Sequence, residues 1–178
     1  QEYRLNLNGP LSEQIGVSFS GLYSDTDGFV TNVPSGREID GRESVAGRLQ
    51  FVLTPSEPWT IRLTASSERY DDGFTPTYSP LSDAGPFKVS RDVPGYVDTD
   101  VNTYAMSADF SGEHFTLSSV TAFRNWEQDL QQDFDFTAIP QPIAEMGFIP
   151  VICVSQPDVE QFSQEIRLGS SDANESYQ

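Results

Sequence analysis

Val45-Ala46-Gly47-Arg48-Leu49-Gln50-Phe51-Val52-Leu53, a turn of Thr54-Pro55-Ser56-Glu57-Pro58, then Trp59-Thr60-Ile61-Arg62-Leu63-Thr64-Ala65-Ser66 is the stretch that decides the fold. Successive side chains of a strand point to opposite faces, so residues two apart share a face. Val45, Gly47, Leu49, Phe51 and Leu53 therefore oppose Ala46, Arg48, Gln50 and Val52. After the turn, Trp59, Ile61, Leu63 and Ala65 oppose Thr60, Arg62, Thr64 and Ser66. One face is apolar and the other carries arginine and hydroxyls, which is a strand period and not a helical one.

Working outward, five further runs repeat the pattern. Tyr3, Leu5 and Leu7 alternate with Arg4 and Asn6 before Asn8-Gly9-Pro10, read as a break. Ile15, Val17, Phe19, Gly21 and Tyr23 oppose Gly16, Ser18, Ser20 and Ser24. Tyr104, Met106, Ala108 and Phe110 oppose Ser107 and Asp109. Phe115, Leu117 and Phe123 oppose Thr116, Ser118 and Arg124. Phe162, Ile166 and Leu168 oppose Ser163, Glu165 and Arg167, with Gln164 interrupting the apolar face.

The connections sort into two kinds. The turns at 54–58 and 111–114 are short and polar, whereas 25–43, 71–100 and 128–159 are far longer than ordinary hairpin loops. Short turns on one side and long loops on the other, a lipid-facing apolar stripe and a polar lumen are the layout of a transmembrane β-barrel. Tyr23, Trp59, Phe110, Phe115 and Phe123, near strand ends, fit its interfacial girdles. A soluble antiparallel sandwich shares the periodicity. The connection lengths, the aromatics and large charged groups such as Arg48, Arg62 and Glu165 on the polar face favour the membrane.

Composition narrows the function. Ten Lys and Arg against 27 Asp and Glu give a formal charge of −17, the wrong sign for a nucleic-acid backbone. No window approaches the roughly 20 apolar residues of a membrane helix. The most apolar stretch, 146–154, is short and contains Pro150. The single Cys153 has no internal partner, and no His/Cys cluster offers a zinc site. His114 is alone in a turn and no Ser/His/Asp grouping presents itself, so no enzyme activity and no cofactor are expected.

Several stretches carry a resemblance. Tyr3-Arg4-Leu5-Asn6-Leu7-Asn8-Gly9-Pro10-Leu11, Ser24-Asp25-Thr26-Asp27-Gly28-Phe29, Ala46-Gly47-Arg48-Leu49-Gln50-Phe51, Ser118-Ser119-Val120-Thr121-Ala122-Phe123-Arg124 and Gln161-Phe162-Ser163-Gln164-Glu165-Ile166-Arg167-Leu168 look like the barrel domain of TonB-dependent outer-membrane receptors, and occur in that family's order. The resemblance implies a 22-stranded barrel around an N-terminal plug, powered through TonB. It places the protein in the outer membrane of a Gram-negative bacterium, with the surrounding lipid, the TonB complex and a small-molecule or metal-chelate ligand as partners. Residues 1–178 read as a partial barrel domain of about seven strands, an internal fragment with no recognisable plug. The expected cargo is a ferric siderophore or similar iron chelate. A carbohydrate or a cobalamin-like molecule is the alternative within the class, and a passive porin or secreted adhesin the alternative outside it.

Ligand contacts in such a receptor are expected from the long loops and upper lumen, where concave, partly aromatic surfaces suit small ligands. The candidates are Tyr70, Phe74, Tyr78 and Tyr96 near the second loop and Arg124, Trp126, Phe134 and Phe136 near the third. The competing reading is that the aromatics pack the loops against one another. Arg48, Arg62, Arg124 and Arg167 either attract an anionic chelate or pair with Asp109 and Glu165 across neighbouring strands, and pairing is the expectation. The doublets Asp25/Asp27, Asp71/Asp72, Asp98/Asp100 and Asp133/Asp135 carry oxygens suited to calcium but lack EF-hand spacing, so they read as solvated loop charge and no metal site is expected.

Overall fold

The computed structural model describes residues 1–73, 85–138, 145–147, 149 and 151–170. In chain order the strands are β1 (Glu2–Ser12), β2 (Ile15–Thr26), β3 (Thr31–Asn32), β4 (Arg37–Glu38), β5 (Arg42–Leu53), β6 (Trp59–Gly73), β7 (Lys88–Val89), β8 (Tyr96–Ser111), β9 (Phe115–Asp133), β10 (Ile152–Ser155) and β11 (Asp158–Ser170). The large sheet runs β1-β2-β5-β6-β8-β9 with β10 and β11 both on the far side of β9, every pair antiparallel. It does not close: β1 and the β10/β11 line are its two edges.

The register sorts the two faces. Leu7, Phe19, Leu49, Ala65, Tyr104, Phe123 and Phe162 stand side by side in one row of the apolar face. The adjoining row of the polar face is Asn6, Ser20, Arg48, Ser66, Thr103, Arg124 and Gln161. On β5 the apolar band runs from Val45 to Leu53, about 26 Å at about 3.3 Å per residue. The nine residues are the length that a tilted strand needs to cross the hydrocarbon core of a bilayer. Rings of Trp59, Phe110 and Phe115 meet at its short-turn border, with centroids 5.0 and 5.3 Å apart, and Tyr3 packs beside Tyr23 at 6.2 Å on the other. The upper border descends across the sheet. Val45 faces Arg69, but the last apolar outward residue of β6 is Ala65, a staircase expected of tilted strands.

Nothing among the described residues packs on this apolar face. Leu7 is 57 % exposed, Tyr104 56 % and Met106 47 %, while the buried apolar cluster is Val30, Ile39 and Val89, all in the loops. A sandwich would place its core here.

Two expectations change and a third gains its reason. The run Asn8-Gly9-Pro10 is not a break, because β1 continues through it to Ser12. The proline lies on an edge strand beside a register shift, where a sheet tolerates a missing N–H. The long connections are shorter than their polarity suggests: β6 extends to Gly73, β8 starts at Tyr96, β9 reaches Asp133 and β10 returns from Ile152. Beyond the apolar band both faces are polar, so the alternation disappears although the ladder continues. Ser155 opposite Leu130 and Asp158 opposite Glu127 share one register, making β10 and β11 a single line interrupted at Pro157, whose carbonyl still accepts the Gln128 N–H at 3.0 Å. Finally, Gln164 does lie on the apolar face, but its amide donates to Ser119 Oγ at 2.9 Å and its carbonyl accepts the Thr121 hydroxyl, so the interruption is satisfied within the sheet.

The first and second loops form a small sheet, β4-β3-β7, with β3 and β7 parallel. The Asp40 carboxylate accepts the Phe29 and Val30 amides, each at 2.8 Å. Gly73 brings β6 against this loop, its N–H 2.6 Å from the Gly41 carbonyl. A Cβ on Gly73 would collide with the Ile39 carbonyl and lie 2.9 Å from that of Gly41. Gly73→Ala is therefore expected to loosen the first loop at a cost of about 1–3 kcal/mol. Faster amide exchange at residues 30 and 39, with the strands unchanged, would check this.

Candidate functional site: the polar face and the loop junction

Near the short turns the polar face neutralises itself. Arg62 Nη1 donates to Asp109 Oδ2 at 2.6 Å, and Ser118 Oγ donates to Asp109 Oδ1 at 2.7 Å. This is the pairing across neighbouring strands expected for Arg62. Arg167 departs from it, reaching Glu165 at 2.6 Å along its own strand. Above them Gln50 Nε2 donates to Thr64 Oγ1 at 3.2 Å.

Higher on the same face, Arg48 and Arg124 occupy one cross-strand row, and among the described residues neither makes an ion pair. The expectation of pairing fails for these two because the residues directly opposite them are Ser20, Ser66, Thr103 and Gln161. The next row holds Arg4, Leu22, Ala46, Glu68, Val101, Trp126 and Val159. Tyr70 donates its hydroxyl to Glu68 Oε2 at 2.7 Å, and Arg4 Nε lies 2.6 Å from Glu2. A recess of about 380 Å³ opens between Arg4, Ser20, Arg48, Ser66 and Glu68. The recess, with the Arg48 guanidinium and the Glu68 carboxylate on its wall, and the Arg124 guanidinium two residues from the Trp126 indole on β9 can each bind a planar or anionic group through charge-assisted hydrogen bonds or stacking.

Of the eight candidates, the fold places three on this face, Arg124 and Trp126 two residues apart on β9 and Tyr70 two strands away on β6. Tyr96 stands on the opposite face at the top of β8. Phe134 and Phe136 lie beyond β9, their ring centroids 6.4 Å apart. Phe74 and Tyr78 fall outside the described residues. Glu68 was not singled out from the sequence; its place two residues before Tyr70 was the available signal.

Register also arranges the acids. Asp25, Glu43, Asp71, Asp98 and Asp129 form one row above the apolar band on the outward face. Partial burial, then the charges of Asp71 and Asp129, push the Asp98 carboxyl up. One member of each of three doublets, Asp25, Asp71 and Asp98, is thus a step of a cross-strand acidic belt whose neighbours lie on adjoining strands, whereas Asp133 and Asp135 belong to the loop junction.

The three long connections meet at a junction. Asn32, 1 % exposed, donates from Nδ2 to the Arg91 carbonyl at 3.0 Å and accepts the Arg91 N–H at 2.8 Å. The Arg91 guanidinium donates to the Phe136 carbonyl and lies 5.7 Å from the Phe136 ring centre. Asp133 Oδ1 accepts the Phe136 N–H at 2.9 Å. Asp135 accepts from the Thr137 amide and hydroxyl at 3.0 and 2.7 Å and from the Val151 amide at 2.9 Å. Phe136 adopts a left-handed backbone (φ 58°), which costs a non-glycine residue of order 1 kcal/mol and is held by these contacts.

No family model matches the chain. Among solved structures it is similar to the crystal structure of the ferric yersiniabactin uptake receptor FyuA from Yersinia pestis, with a TM-score of 0.78 and 18 % identity, over 95 % of this chain and 25 % of that one. The chain thus spans about a quarter of that receptor's length. Together with the unclosed antiparallel sheet and its uncovered apolar band, this likeness makes the chain a wall segment of a larger β-barrel.

Proposed function

We propose that this chain is part of the barrel of an outer-membrane receptor that takes up a scarce nutrient, a ferric chelate, using energy delivered through TonB. The observation that carries the membrane reading is the apolar band, long enough for a tilted strand to cross a bilayer core, with no protein layer over it among the described residues. The cargo reading is supported by Arg48 and Arg124, which no carboxylate neutralises among the described residues, on the same face as Tyr70 and Trp126, the face that becomes the lumen. FyuA, to which this segment is similar in fold, is a ferric yersiniabactin uptake receptor. TonB would be engaged through a plug region lying outside these residues.

The test uses the full-length gene in its own host. Accumulation of labelled ferric chelates is measured with the gene intact or deleted, and with TonB present or absent. Uptake is expected to require both, and Arg48→Ala with Arg124→Ala to weaken binding of an anionic chelate about tenfold or more, the loss of one or two charge-assisted bonds. Entry independent of TonB would replace this reading with a passive porin. Uptake of a neutral carbohydrate, unaffected by the arginines, would remove the iron chelate as cargo.

A further inference from the structure

Asp133 lies where the wall ends and the loops begin, and it is 3 % exposed. Its Oδ1 is held by the Phe136 amide, but its Oδ2 is buried and, among the described residues, accepts no hydrogen bond. The charged groups acting on it are Asp135 from its own loop and Asp92 and Arg91 from the second loop, and Arg91 is fastened to Asn32 of the first. On the β10 side its opposite residue is the uncharged Ile152. An ionised carboxylate with a bare oxygen in such a place is costly, whereas a proton turns that oxygen into a donor facing other acids.

We propose that Asp133 is a pH-sensitive latch for the three long loops: protonated, it closes their junction, and ionised, it loosens it. Burial, reinforced by the Asp135 and Asp92 charges and opposed by the Phe136 amide and Arg91, pushes its carboxyl up to about 6. Burial also opposes the charge on Asp135, but hydrogen bonds from Thr137, Val151 and the Asp133 carboxyl outweigh it and hold that carboxyl low. Of these two neighbours, Asp133 is therefore the one that carries a proton at mildly acidic pH. Because the closed junction binds this proton more tightly than the open one does, its advantage is complete below about pH 4 and fades as pH rises through about 6. Between pH 5 and 7.5 the open fraction should rise about tenfold.

The latch depends on loop geometry and needs no cargo. Its test is amide exchange on the full-length barrel in detergent at pH 5 and 7.5, corrected for intrinsic rates. The Phe136, Arg91 and Val33 amides are read, with the strand amides of residues 117–123 as reference. The expected result is about tenfold weaker protection of those three amides at pH 7.5, with the reference unchanged. Asp133→Asn keeps the acceptor for Phe136 and supplies a permanent donor, so it should abolish the pH dependence and hold protection at the acid level. Equal protection at the two pH values in the unaltered protein would overturn the latch, as would an undiminished pH dependence in Asp133→Asn. Neither outcome bears on transport.

Discussion

Leu49→Arg is expected to destabilise the assembled barrel by about 2–4 kcal/mol, while Gln50→Arg, one residue away, costs well under 1 kcal/mol. The two positions differ only in the face they occupy. Leu49 is mid-band between Val45 and Leu53 and shares a row with Phe19 and Ala65. Gln50 lies on the polar face between Ser18 and Thr64. A guanidinium at Leu49 must be carried into hydrocarbon, whereas at Gln50 it meets the polar lumen. Equilibrium unfolding of the full-length protein in lipid vesicles measures both. The comparison discriminates because Leu49 is 38 % exposed with no protein over it. If that face met water, an arginine there would cost about as little as at any surface position. Near-equal costs would therefore remove lipid as the missing partner of the apolar face.

The fold was legible in the sequence where the environment of the two faces differs. Within the band, lipid on one side and a wet lumen on the other force strict alternation, and all seven runs recur as long paired strands. Above the band this constraint vanishes. The outward face of β9 passes from Phe123 to Asn125, Glu127 and Asp129, so a strand that continues to Asp133 looks like loop. Gln164 shows the converse, since a polar residue can sit in the band when Ser119 and Thr121 lie beside it on a neighbouring strand, a pairing that no local window reveals. The candidate site was legible in part for the same reason. Arg124, Trp126 and Tyr70 share a face through parity and register, which their spacing allowed. The buried roles of Asn32 and Arg91 depend on partners 59 and 45 residues away in other loops, and nothing in the local sequence of these residues or of Asp133 distinguishes them from solvated polar residues.

Expressed alone in water, these 178 residues are expected to aggregate or remain unfolded, whereas the full-length protein refolds into detergent with heat-modifiable migration on a gel. Two independent features of the wall lead to this. Its edges are long: β1 spans 11 residues and β11 spans 13, each presenting a row of backbone N–H and C=O groups to a strand that these residues do not supply. In lipid each unsatisfied group costs several kcal/mol, and in water such an edge is a template for pairing with other chains. The faces add to the problem. Phe162, Ile166 and Leu168 on the edge strand are 68 %, 68 % and 74 % exposed, and the loop cluster of Val30, Ile39 and Val89 is far too small to anchor a sheet of this size. Closure of the barrel answers the first problem and lipid the second, so neither detergent alone nor the missing strands alone should rescue the fragment. Adding detergent to the isolated chain should therefore leave it without a heat shift on the gel, and a soluble monomer that melts in one cooperative transition would contradict the barrel-wall assignment itself.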